Sequence, residues 1–245
     1  MPLDKLKRII RDSSGLVPPP KPAVPTVQHA FPLVAKSQAM RDLVENCFDQ
    51  ARQGRYVALA GHKDDLLEAP SFFLHLSDRL GLAKRLTVGQ GREAMDFKTA
   101  VFKGMDSVFV PSARQIPWGV QHTLADERFP VFGLLLFVIN IPCQESANGV
   151  LCPDLKARCG DALLRWPGWA EREADRQDLV RNACGLLSTG FGQDVTLEQG
   201  AIQAYAARHW KTVGHMVKAI HADMVRTAPT NGAIRLMAHV TPSAP

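Results

Sequence analysis

Apolar residues recur at helical spacing from Ala39 through Met40, Leu43, Val44, Cys47, Phe48 and Ala51, behind Ser37, whose hydroxyl is suited to cap a first turn. This pattern predicts a helix. The short apolar run Tyr56 to Ala60 predicts a strand, Gly61 to Glu68 a polar turn, and Ala69 to Leu80, with Phe72, Phe73 and Leu76, a second helix. Residues 80 to 106 hold Gly89, Gly91 and Gly104 among mixed charges without a clear period, so no element is predicted there. A strand follows at Ser107 to Val110, and a helix from Pro117 to about Ala125. The apolar run Val131 to Ile141 reads as a strand buried on both faces of a parallel sheet. Strands alternating with helices predict an α/β core.

The C-terminal third turns helical, with predicted segments near Glu171 to Leu187, Leu197 to Arg208 and Val213 to Arg226. Thr196 and Gln199 have the spacing of a capping box. Val213, Met216, Val217, Ile220, Met224 and Val225 form an apolar stripe that reads as core. At the other end, Leu3, Leu6, Ile9 and Ile10 fit one or two turns of amphipathic helix, which the stretch Val17 to Pro25, VPPPKPAVP, cannot continue because proline fixes φ. The expected units are a basic arm with a proline-rich linker (1–30), an α/β unit (31–185) and a helical unit (186–245).

Composition sharpens this picture only in part. With 245 residues and 46% hydrophobic side chains, the chain is long and apolar enough for a substantial core. Its net charge of +5 and pI near 9.1 are mildly basic and carry little information about nucleic acid. Five cysteines form an odd set without a CxxC pair, which fits a reduced compartment. The N-terminus alternates charged and apolar residues, unlike a secretory signal, and the longest apolar run is too short to span a bilayer. A soluble, cytoplasmic protein is expected, with no membrane partner.

The stretch Arg55 to Arg79 has the strand, turn and helix of a phosphate-binding loop without its chemistry. Such a loop needs glycines so that backbone amides can close on phosphates, then a Lys and a Ser or Thr. Here the turn reads His62, Lys63, Asp64, Asp65, Leu66, Leu67, and its two carboxylates would repel a phosphate. Other chemistries find no pattern. No HExxH, paired Cys/His set or GxSxG occurs, and His215 and His221 are six residues apart, on partly different sides of a helix. Gly89-Gln90-Gly91 is expected to lack the preceding strand and following helix of a dinucleotide fingerprint. Trp118, Trp166, Trp169 and Trp210 read as packing anchors.

The order of segments over about residues 31 to 240 resembles the AAA+ domain of bacterial sigma-54-dependent transcription activators. Ser37-Gln38-Ala39-Met40-Arg41 is similar to the family's opening Ser-x-Ala-Met run. Gly61 to Glu68 lies where the family has Walker A, GxxGxGKE, with Leu67 in the place of the lysine, and His75, Ser77 and Arg79 resemble residues that follow that loop. Ser107 to Ala113, with Ile116, Pro117, Gln121 and Leu124, looks like the Walker B segment, but Pro111-Ser112 replaces its acidic pair. Asn140 matches either the sensor I Asn or a strand-terminal Asn in a turn. Asp154 to Arg158 resembles the segment that supplies trans-acting arginines, with Arg158 matching the second and Cys152 standing for the first. Trp166-Pro167-Gly168-Trp169 with Glu171 and Arg172 resembles the LPPLRER linker; Trp210 matches the Trp of WPGNVREL, and His215 the sensor II arginine. Only residues 80 to 106 separate Arg79 from the Walker B remnant, and no GAFTGA string occurs.

The resemblance implies an AAA+-like P-loop α/β core with a C-terminal helical subdomain, and it implies a function without turnover. No residue is assigned as catalytic, cofactor-binding or metal-ligating, and no cofactor is expected. The expected function is that of a catalytically inactive regulatory or adaptor protein acting through protein–protein binding, with an active AAA+ protein or a transcription complex as partner. It is expected to be a monomer or weak oligomer, because nucleotide often bridges the rings of such proteins. Two alternatives are a DNA-binding regulator using the arm with Arg172, Arg176 and Arg181, and a nucleotide sensor without hydrolysis.

Overall fold

A computed structural model describes residues 31–127, 129, 132–141, 149–160, 163–191, 194–227 and 233–236. The N-terminal arm and its proline-rich linker lie outside these residues.

The predicted alternation of strand and helix is present. Helix α1 (Gln38–Arg52) starts where Ser37 accepts a hydrogen bond from the Met40 amide through its hydroxyl. Strand β1 (Val57–Gly61) leads through a short 3₁₀ turn (Leu66–Glu68) into α2 (Ala69–Arg79). Then come β2 (Arg85–Thr87), α3 (Glu93–Phe102), β3 (Ser107–Val110), α4 (Trp118–Ala125), β4 (Leu134–Asn140), α5 (Pro153–Arg158) and β5 (Leu164–Arg165). The C-terminal part holds α6 (Arg176–Phe191), β6 (Asp194–Leu197), α7 (Gln199–Ala207), α8 (Val213–Arg226) and β7 (Ala233–Leu236).

The first five strands form one parallel sheet in the order β2-β3-β4-β1-β5. Because side chains alternate along a strand, β1, β3 and β4 each feed two cores. Ala58, Ala60, Val108, Val110, Leu135, Phe137 and Ile139 pack with Phe97, Ala100, Leu124 and Leu155 on one face. Val57, Leu59, Phe109, Leu134, Leu136 and Val138 pack with Met40, Leu43, Cys47, Phe72, Phe73 and Leu76 on the other. A third core joins α6, α7 and α8 to Phe31, Val34 and Trp169.

Three expectations change. Residues 80–106 contain β2 and α3, hidden in the sequence because β2 is a three-residue edge strand with no fully buried position and Met95 of α3 is 63% exposed, which breaks the apolar period. Thr196 is not a helix cap: it lies in β6, which pairs parallel with β7 up to Leu197↔Leu236, so the cap position falls to Glu198 and makes no side-chain bond. The C-terminal part is therefore not all helical. Residue 185 falls inside α6, whose Leu179, Val180 and Ala183 share a core with Trp169, so the helical core begins before the expected boundary.

Candidate functional site

In open parallel sheets, ligands bind outside the carboxyl ends of the strands. The register β1–β4 places Gly61 beside Asn140 at that end, and the residues after β3 and β5, Pro111 and Trp166, follow there. Gly61 is required by close packing, since a Cβ on it would lie 2.8 Å from the Trp166 Cβ.

The turn after Gly61 spends its backbone amides on the chain itself. The Lys63 amide donates to Asn140 Oδ1 at 3.0 Å, the Asp64 amide to His62 Nδ1 at 3.2 Å, and the Asp65 and Leu66 amides to the His62 carbonyl at 2.8 and 3.2 Å. A phosphate cradle needs such amides pointing at the ligand. The two leucines divide between cores: Leu66 packs in the sheet core, and Leu67 packs against the C-terminal core.

The two carboxylates of the turn face the N-terminus of α8. Asp65 Oδ1 accepts from the Val213 amide at 2.8 Å, the Asp64 carbonyl accepts from the Gly214 amide at 2.8 Å, and Thr212 Oγ1 accepts from the His215 amide at 3.2 Å. Lys218 Nζ reaches Asp64 Oδ2 at 3.3 Å. A helix N-terminus attracts anions through its free amides and dipole; here the anion is a side chain of the loop opposite. Contact is tight enough that a Cβ on Gly214 would lie 2.6 Å from the Asp64 Cβ. Burial raises the Asp65 carboxyl above its ordinary value, and the Val213 amide works against that rise.

Behind the turn lies a buried ionic network. Glu68 accepts from the Val34 amide at 2.7 Å and from both terminal nitrogens of Arg172, whose Nε donates to Asp175 Oδ2 at 2.9 Å and whose Nη2 donates to the Val34 carbonyl at 2.7 Å. Asp175 in turn accepts from the Lys36 and Ser37 amides and from the Ser37 hydroxyl, at 2.7 to 2.8 Å. All three charged side chains are fully buried. Burial works against the Arg172 charge, but the hydrogen bonds and charges of Glu68 and Asp175 raise its pKa above the ordinary value.

The remaining matched positions are engaged structurally. Arg158 donates to the Leu124 and Asp126 carbonyls, both at 2.9 Å, with its guanidinium 4.7 Å from the Tyr56 ring centroid. The Cys152 side chain is buried, and its amide donates to Gln121 Oε1 at 2.6 Å. Asn140 holds the turn through the Lys63 amide. His215 is half-buried in the first turn of α8. Gly89-Gln90-Gly91, contrary to expectation, does follow a strand and precede a helix, β2 and α3. Its amides are nevertheless occupied, Gly89 by Asp96 Oδ2 at 2.7 Å and Gly91 by Glu93 Oε1 at 2.8 Å. The basic set suggested for DNA also changes. Arg172 is the centre of the buried network, Arg176 donates to the Trp169 and Ala170 carbonyls, and Arg181 pairs with Asp178 at 2.8 Å. The tryptophans divide, Trp166, Trp169 and Trp210 being buried and Trp118 being 54% exposed.

No protein-family model matches the sequence, and no curated protein sequence matches it at a significant level. Solved structures do match. NtrX from Brucella abortus superposes with a TM-score of 0.61 at 14% identity, over 98% of this chain and 58% of the NtrX chain. The same protein in complex with ATP gives 0.54, at 14% identity, over 96% and 59%. Domain III of the replication initiation protein DnaA from Thermotoga maritima gives 0.53 at 12% identity, over 84% and 90%. The fold is AAA+-like, a parallel α/β sheet followed by a mainly helical part, as in these structures. The chain spans little more than half the length of the NtrX structures, and at these identities the likeness concerns the fold alone.

The contacts that hold the turn are not legible in the sequence. The clamp between Asp65 and Val213 joins residues 148 apart. The buried network joins Glu68 to Arg172, 104 residues apart, and has no local signal in the sequence.

Proposed function

We propose that this chain is a catalytically inactive AAA+-like protein, a pseudo-ATPase that acts as a regulatory or adaptor protein by binding another protein. The clamp of Asp64 and Asp65 on the N-terminus of α8 carries this reading. Phosphoryl transfer is almost entirely positioning and charge stabilisation, so it depends on amides, a Lys, a magnesium site and a water-orienting group. The amides of Lys63 to Leu66 are used internally, Leu67 is apolar, and Pro111 and Ser112 offer no carboxylate. In this reading the turn takes the part that a bound phosphate plays elsewhere, holding loop and helix together without a ligand. The resemblance suggests bacterial transcription control in the cytoplasm as the setting, with an active AAA+ protein or a transcription complex as partner.

The test is unfolding and turnover of the full chain with and without millimolar MgATP. A ligand at 100 times its Kd adds about 2.7 kcal/mol of stability, so binding would be plain in the Tm. An unchanged Tm and no phosphate release above background are expected, for the wild type and for Leu67→Lys alike. A saturable rise in Tm, or wild-type turnover, overturns the reading. The binding half is tested by affinity pull-down from the native cell, where a stoichiometric AAA+ or transcription component is expected and its absence counts against the proposal.

A further inference from the structure

On the side of the sheet away from α1 and α2, α3 and α4 leave an open groove of about 460 Å³. Its floor is Phe97 and Leu124, both buried; Val101, Val120 and Phe129 form half-buried walls, and Lys98 and Thr123 stand exposed at the rims. Its volume is in the range of sites that enclose small ligands or several side chains, but it has few convergent polar groups to orient a ligand. An exposed apolar patch of this kind marks an interaction surface. Past the end of α4 the surface continues into a second hollow lined by Ala125, Glu127, Asp154, Ala157 and Arg158. Glu127 and Asp154 are exposed there, with His122 Nδ1 3.7 Å from Asp154 Oδ2, while the Arg158 guanidinium donates to the carbonyls of Leu124 and Asp126. The groove is apolar along its length and acidic at one end.

We propose that this groove is the docking site of the chain's own N-terminal segment, Leu3 to Ile10, bound intramolecularly. Leu3, Leu6, Ile9 and Ile10 supply an apolar face at helical spacing that has no use in solvent, and an amphipathic helix in a groove is a common recognition mode. Lys5, Lys7, Arg8 and Arg11 exceed Asp4 and Asp12 in number, which suits the acidic end at Glu127 and Asp154. Reach is sufficient. Residue 31 is fixed, with Phe31 in the third core and its carbonyl accepting from the Ser71 hydroxyl. Nineteen residues, 12–30, at roughly 3.1 Å each allow a reach of up to about 59 Å. A globular chain of this length has a radius of gyration of roughly 18 Å, so the linker reaches any face of the molecule. Tethering also gives the segment an effective concentration in the millimolar range, which favours it over the same segment of another copy. This inference does not depend on whether nucleotide binds.

The experiment compares three full-length proteins: the wild type, Leu6→Glu/Ile9→Glu, and Thr123→Arg, which crowds an exposed rim position without touching the floor. Amide hydrogen exchange over 93–102 and 118–125, trypsin cleavage after Arg8 and Arg11, and sedimentation are measured on each. In the wild type, exchange over α3 and α4 and cleavage of the segment are expected to be slower than in both variants, on the order of tenfold, at an unchanged monomer mass. Equal exchange and cleavage in all three proteins overturn the proposal. Protection that appears only with a doubled mass also overturns it, since the occupant would then be the segment of a second copy.

Discussion

At the scale of single residues, the buried charges show most clearly what the chain retains. Arg172 makes four hydrogen bonds, to Glu68, Asp175 and the Val34 carbonyl, and so joins the opening segment, the start of α2 and the approach to α6. Burying three charges is costly unless each is paired and hydrogen-bonded, and each is. The network is therefore intolerant of partial removal. Arg172→Ala leaves Glu68 and Asp175 buried and facing each other without a cation, and a loss of about 3–5 kcal/mol is expected. A urea titration checks it: the midpoint should fall with little change in slope. A loss below 1 kcal/mol would mean that water or another cation takes the guanidinium's place. The contrast with surface pairs is instructive. Arg79 and Glu45 form a bidentate pair at 2.7 Å at the protein surface, where solvent screens it, and its removal should hardly register.

At the scale of elements, what was legible depended on burial. β1, β3 and β4 are buried on both faces, so their apolar runs announced them. β2, β6 and β7 are three or four residues long, and α3 turns Met95 outward; their existence depends on neighbours that the sequence pattern does not name. The same holds for the site. The absence of a lysine at Leu67 and of carboxylates at Pro111 and Ser112 could be read directly from residue types, because it is local. The clamp could not, because an Asp in a polar turn looks alike whether it meets solvent or the N-terminus of α8. Its energetics are testable at Gly214. Alanine normally favours a helix by up to about 1 kcal/mol over glycine, but here a Cβ would press on Asp64 at 2.6 Å, against backbone as well as side chain. Gly214→Ala is therefore expected to destabilise by about 1–3 kcal/mol. Asp65→Ala is expected to cost about 1–2 kcal/mol through the lost charge at the helix N-terminus and the orphaned Val213 amide. If the clamp joins loop to helix, Gly214→Ala after Asp65→Ala should cost less than it does alone, a non-additivity visible in the double variant. Strict additivity would show that the two contacts act separately.

At the scale of the whole molecule, the sheet and the C-terminal helices are held together by this clamp and the ionic network, while the helices are held to one another by a third core with its own polar lock. Tyr205 of α7 donates through its hydroxyl to Asp223 Oδ2 of α8 at 2.6 Å, between Trp210 and the buried face of α8. Burial raises the Tyr205 phenol, and Asp223 raises it further, so it keeps its proton well above the ordinary range near 10. Stability follows from that difference. Below about pH 10 both folded and unfolded chains hold the proton, and the contribution is complete. Above it the unfolded chain releases the proton while the folded chain retains it, so stability falls as pH rises towards the folded value. Tyr205→Phe removes this dependence along with the hydrogen bond. At pH 7 the variant is expected to be weaker by about 1–3 kcal/mol, because the Asp223 carboxylate loses a buried donor. Between pH 9 and 11 its stability should decline less steeply than that of the wild type, the remaining slope coming in part from Tyr56, which burial also raises. Urea midpoints at a series of pH values separate the two effects. Parallel curves would mean that Tyr205 ionises in the folded chain as readily as in the unfolded one, and coincident curves that α7 and α8 are joined by packing alone.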